Sequence, residues 1–236
     1  MEESEHQHPL QKFFNAASLI NHAGRTVARL DDDEGKLMRR VVQNMEFGDV
    51  FIQFALPALA SKFELTAESL FLLVTEAPIW SEERLPILER GIKAVVEGDL
   101  LVATHLLIPE IESAIRNLAD NLGVGLQRQH RNGGYVLKNL DDLLREDAVI
   151  ARLSEDTCFY FRAVFSDQRG WNLRNDVCHG LSTASSLNGR VVRRLILILL
   201  HLSLLRARSE ESDSGSEDDA SGNDAQGNAS EGPETP

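Results

Sequence analysis

Apolar residues recur along most of the chain at i, i+3, i+4 and i+7, and strict apolar/polar alternation is nearly absent. That pattern predicts helices over residues 10–30 and 49–62, with Pro57 a point of bending in the second. A further helix is expected over 66–75. Thr66 is suited to cap it and Glu68 would lie in its first turn, but Ser69 stands where a capping box carries Glu or Gln, so no full box is expected. Residues 77–81 (APIWS) read as a break. Ser81, with Glu82 and Glu83, then opens a helix running to about 97. Asp99 would cap a long helix over 100–122, in which Pro109 implies a kink or short interruption. Residues 123–134 (GVGLQRQHRNGG) read as a loop. Helices follow at 137–146, at 154–165 behind Ser154, at 172–181 after the turn 167–170, and at 187–207. The fold class is therefore all-α.

Composition refines this picture. The formal net charge is −13, but nine acids and no base fall in residues 209–236, so residues 1–208 carry only −4. That terminal stretch is Ser, Glu, Asp, Gly and Asn with few apolar side chains, and it is expected to be a disordered acidic tail. The remaining body has no global basic field, so any nucleic-acid contact must be local. Two cysteines, Cys158 and Cys178, are too few for a disulfide framework or a Cys-based zinc site, and a reducing, cytoplasmic setting is expected. The acidic N-terminus is unlike a signal peptide. The most apolar run, residues 195–205, holds His201 and Ser203 and is shorter than the ~20 residues needed to span a bilayer. It reads as a buried helix with His201 a core histidine, and no membrane partner is expected.

The chain carries no Walker loop, GxGxxG, GxSxG, HExxH or CxxC, which removes the commonest nucleotide, hydrolase and metal chemistries. No cofactor or metal is called for. Two Arg–His pairs have four to six residues between them, Arg174/His179 and Arg194/His201, about as many as chance supplies. Context separates them. The first pair follows a glycine-containing turn among Asn172, Asn175 and Asp176, where a polar cleft can form. On a helix Asn175 and His179 share a face, and the long Arg174 side chain can reach round to them. A guanidinium grips phosphate, and an imidazole moves protons near neutrality. RNA cleavage needs little more, because the nucleophile is the substrate's own 2′-hydroxyl. One histidine cannot readily serve as both base and acid, so a second copy across a two-fold axis would complete the site.

The string from Asn172 to Leu181, NLRNDVCHGL, resembles the signature of an uncharacterised domain family defined by RNxxxHG and related to the HEPN superfamily. His105-Leu-Leu-Ile-Pro-Glu-Ile-Glu112 resembles that family's first long helix, and Gly134-Tyr-Val-Leu-Lys-Asn-Leu140 its continuation. The resemblance covers residues 82–206. It implies a four- or five-helix bundle that dimerises with its Arg…His motifs face to face, and a metal-independent endoribonuclease with Arg174, Asn175 and His179 as catalytic residues. Residues 1–80 are expected to form a helical region packed on that domain.

His105 and Glu112, seven apart, are further candidates for the same cleft. Arg128 and Arg131, flanking His130, are candidates for contact with an RNA backbone. The leading expectation is thus a homodimeric RNA-cleaving or RNA-processing domain. The alternative is a catalytically silent HEPN-like bundle that binds a nucleotide or a protein partner, which the body's mild negative charge favours.

Overall fold

The computed structural model describes residues 18–20, 26–29 and 32–205. The acidic stretch 209–236, read as a disordered tail, lies outside these. The stretch expected as a first helix, 10–30, is corrected where it is described. Strands β1 (Ser18–Ile20) and β2 (Thr26–Arg29) pair antiparallel with Ser18 opposite Arg29. The rest of 10–30 lies outside the described residues. Thr26, Val27 and Ile20 are β-branched, and the runs flank Gly24, so hairpin propensity outweighs apolar spacing.

Helix α1 (Asp33–Lys62) starts well before the predicted boundary. Asp32 caps it, accepting from the Gly35 amide at 2.6 Å, and Asp33 and Glu34 suit the positive end of its dipole. Its first half is polar enough to mask the helical pattern, with only Gly35, Met38, Met45 and Asp49 buried. Helix α2 (Ala67–Thr75) does have a capping box, contrary to expectation, because serine can close it. The Thr66 amide donates to Ser69 Oγ at 2.9 Å, and the Ser69 amide donates to Thr66 Oγ1 at 3.1 Å.

A 3₁₀ turn, Glu82–Arg84, precedes α3 (Leu85–Glu97) where one continuous helix was expected. Asp99 caps α4 (Leu100–Asn121) by accepting from the Val102 amide at 3.1 Å. Of the kink or short interruption expected at Pro109, the interruption does not occur: α4 is one helix through that residue, and its apolar face is buried on both sides of it. The expected loop at 123–134 contains β3 (Gln127–Gln129), paired antiparallel with β4 (Tyr135–Leu137), Gln127 opposite Leu137. Both strands are mostly exposed, β3 being polar throughout and β4 three apolar residues in a row, so no hydrophobic alternation announced them. The helix expected over 137–146 is replaced by α5 (Leu140–Leu143), capped by Asn139, and α6 (Asp147–Leu153). Helices α7 (Glu155–Phe165), α8 (Leu173–Cys178) and α9 (Gly189–Ser203) complete the described residues.

α4 is the central helix, packing against α3, α9, α5 and α8. Leu107, Ile111 and Ile115 of α4, Phe161 and Phe165 of α7, and Leu195, Ile198 and Leu199 of α9 are fully buried. Met38 and Met45 of α1 and Val74 of α2 belong to the same core, so helices before and after residue 81 share it. His201 is not a core histidine. Its ring is exposed and set edge-on to Phe161, with centroids 5.9 Å apart, because it lies on the rim of the apolar stripe of α9. Among the described residues no single helix is long and apolar enough to cross a membrane.

Candidate functional site

The RNxxxHG segment is placed by the turn that precedes it. Gly170 passes so close to α7 that a Cβ there would overlap the Ala163 carbonyl, and the Trp171 amide donates to that carbonyl at 2.7 Å. Only glycine fits this approach. Asp167 shapes the turn by accepting from the Arg169 amide at 2.8 Å and from Arg169 Nε at 2.9 Å. Asn172 then takes a left-handed conformation (φ 51°), which asparagine tolerates better than most residues. Its side chain donates to Asp176 at 2.9 Å and accepts from Asn175 at 2.7 Å. Asn175 also donates to the Ser166 carbonyl at 3.3 Å. With Leu173 buried, these bonds fix a helix of only six residues. His179 closes it, its amide donating to the Asn175 carbonyl at 2.9 Å, and Gly180 leaves with φ 68°.

Arg174, Asn175 and His179 line one open cleft of about 580 Å³. Asp141, Arg145, Ser166, Asp167 and Arg169 line it too. Arg174 does not hang free in it. Its Nε donates to Glu112 Oε2 at 2.7 Å and its Nη2 to Glu112 Oε1 at 3.2 Å. The remaining Nη1 donates to Asn175 Oδ1 at 3.3 Å. This bidentate grip raises the Arg174 pKa further, so the group is a permanent cation. Glu112 is largely buried and also accepts from Arg116 at 3.0 Å, so two guanidinium groups share one carboxylate. Arg116 reaches on to the Lys138 carbonyl at 2.8 Å, tying the foot of the β3–β4 hairpin to the same cluster.

The other cleft arginines are paired as well. Arg145 meets Asp141 at 2.8 Å, and Arg169 meets Asp167 at 2.7 Å and Glu34 at 3.0 Å. Arg162, buried beneath them, holds Glu34 at 2.8 Å and Asp141 at 3.1 Å. Hydrogen bonds from Arg162 and Arg169 hold the Glu34 carboxyl below the usual range. For Asp141 burial pushes upward, but Arg145 and Arg162 outweigh it and the net direction is down. His179 differs from all of these: its imidazole is exposed on the rim.

The sequence-predicted residues therefore divide. Glu112 belongs to the site as the anchor of Arg174 and does not itself line the cleft. His105 is apart from it, exposed on α4 with Nδ1 2.8 Å from the Leu101 carbonyl. Arg128 forms an ion pair with Asp142 at 3.3 Å, and Arg131 is exposed at the hairpin tip; neither lines the cleft. Asn175 bonds to Arg174, Asn172 and Ser166, so its amide braces the arginine and the turn and does not hold the imidazole. Sequence reading missed Arg145, Arg169 and Asp141. The only hint was their spacing (Asp141/Arg145 four apart, Asp167/Arg169 two apart), which is common on ordinary surfaces.

Chemically, the cleft presents three guanidinium groups, each paired with a carboxylate of the chain, and one solvent-accessible imidazole. Comparison with protein-family models, with curated proteins and with solved structures finds no match to this chain.

Proposed function

We propose that this chain is a HEPN-like, metal-independent endoribonuclease that acts as a homodimer in a cytoplasmic setting. One observation carries the reading: three residues picked out by the RNxxxHG resemblance line a single polar cleft together with two further arginines. In this mechanism a backbone phosphate lies against Arg174, with Arg145 and Arg169 exchanging part of their carboxylate contacts for phosphate oxygens. The 2′-hydroxyl attacks the adjacent phosphorus, and His179 takes its proton. The bond from phosphorus to the 5′-oxygen breaks, and that oxygen receives a proton from an imidazolium, assigned to His179 of the partner subunit. The product ends are a 2′,3′-cyclic phosphate and a 5′-hydroxyl. Arg174 offsets the charge that builds on the phosphorane, held in place by Glu112 and Asn175.

A second reading has its own support. Arg145, Arg169 and Arg174 all have acidic partners within the chain, as expected of a polar network that shapes a binding module for a nucleotide or protein. Incubation of end-labelled RNA of mixed sequence in EDTA separates the two. Cleavage by the wild-type chain, lost in His179→Ala and Arg174→Ala that remain folded, supports the nuclease. Equal inertness of all three overturns it in favour of the binding module.

A further inference from the structure

The second half of α1 is built unlike the rest of the fold. From residue 50 to the end of the helix at Lys62 no side chain is buried. Yet Phe47, Phe51 and Phe54 are 74%, 74% and 71% exposed, with Val50 and Leu59 about half exposed beside them. Phe63, Leu65 and Leu72 continue the apolar surface across the bend into α2. A helix of some three turns without a packed face is marginal in water, and Pro57 weakens this one further. The exposed phenylalanines and their aliphatic neighbours present roughly 800–1,000 Å² of apolar surface, against about 800 Å² buried per partner in a stable complex.

We infer that this face pairs with the same face of a second copy, α1 against α1 in antiparallel fashion about a two-fold axis near Phe54. Phe47, Val50/Phe51, Phe54 and Ala58 fall at the spacing of a helix–helix seam. Residues 50–61 (VFIQFALPALAS) contain no charge, so nothing on the seam has to be desolvated as an ion. Charge sets the direction. Glu46, half exposed beside Arg190, lies eight residues before Phe54 and Lys62 lies eight after it, so an antiparallel pair about Phe54 brings Lys62 of each copy opposite Glu46 of the other. A membrane surface fits less well. An interfacial helix carries Lys and Arg along its polar face, and residues 41–61 of α1 hold none. The cleft-to-cleft contact of the nuclease reading uses a different face, which none of these α1 residues lines, and is assigned to the RNA-bound state, so the mass of the RNA-free chain reports on α1 alone and cleavage is not its readout.

Light scattering on the full chain at micromolar concentration tests it. The wild type should have the mass of two chains. Phe51→Glu/Phe54→Glu should have that of one, with unchanged helical content and a dimer dissociation constant raised more than about 100-fold. Should that variant fail to fold, Phe54→Cys in a Cys178→Ser background should oxidise to a covalent dimer, whereas Leu137→Cys on the hairpin in the same background should not. A wild type with the mass of one chain overturns the inference. If that monomer sediments with phosphatidylcholine/phosphatidylserine vesicles through Phe51 and Phe54, a membrane takes the place of the second copy. A double variant that stays folded and dimeric also overturns it.

Discussion

The cleft wall and the distal half of α1 show opposite ways of leaving a surface unfinished. In the cleft, the chain satisfies its own charges. Arg174 has Glu112, Arg169 has Asp167 and Glu34, and Arg162 holds Glu34 and Asp141 from below. His179, by contrast, is exposed at the rim. Along the distal half of α1 the apolar face is left uncovered: phenylalanines face water and no element of the described fold covers them. On the proposed function the first arrangement is preorganised, its cations held in place before a phosphate arrives. On the inferred pairing the second is incomplete until another copy covers it.

The comparison breaks first on two phenylalanines. Phe161→Ala in the core should cost about 3–5 kcal/mol whatever the protein concentration, read by denaturant unfolding. Phe54→Ala should act only through association. The wild-type Tm should rise with protein concentration, and the variant should flatten that dependence. Equal, concentration-independent losses at both sites would abolish the contrast.

Gly170→Ala sharpens the account of the cleft. The added methyl group cannot avoid the Ala163 carbonyl, so the turn must shift, at a cost of about 2–3 kcal/mol in unfolding free energy. Glu112→Ala should follow at about 1–3 kcal/mol, since it strips Arg174 and Arg116 of a shared, largely buried acceptor. Its loss of RNA cleavage should exceed the loss of stability, because Arg174 is no longer aimed. The smallest effect is on pH. Glu34 and Asp141 are held below their ordinary range. Such carboxylates stabilise the fold above their unfolded pKa, and the contribution fades as pH falls below about 4 through the folded values. Glu34→Gln should reduce that acid-side slope in an unfolding series.

Much of this was legible in the sequence, for reasons that differ by region. The starts of α4 and α7 were marked by Asp99 and Ser154, side chains that do cap them. The RNxxxHG string identified three residues that the fold brings to one cleft, and the i, i+7 pairing on α4 identified Glu112. That pairing misplaced His105, which is turned back to its own helix. The first half of α1 was hidden because its contact with the core depends on two methionines, Met38 and Met45, spaced among polar residues. Both hairpins were missed because short strands are held by local pairing that leaves no hydrophobic alternation. The ion pairs of Arg145 and Arg169 became visible only once α1, α5 and the 167–170 turn met in space.

The most direct measurement sets RNA beside DNA of the same sequence, in EDTA, with wild-type chain and His179→Ala. The account predicts that only RNA is cut and only by the wild type, leaving 2′,3′-cyclic phosphate ends, with His179→Ala slower by a factor on the order of 10²–10⁴. Cutting of the DNA, which lacks the 2′-hydroxyl nucleophile, or undiminished RNA cutting by His179→Ala would contradict it.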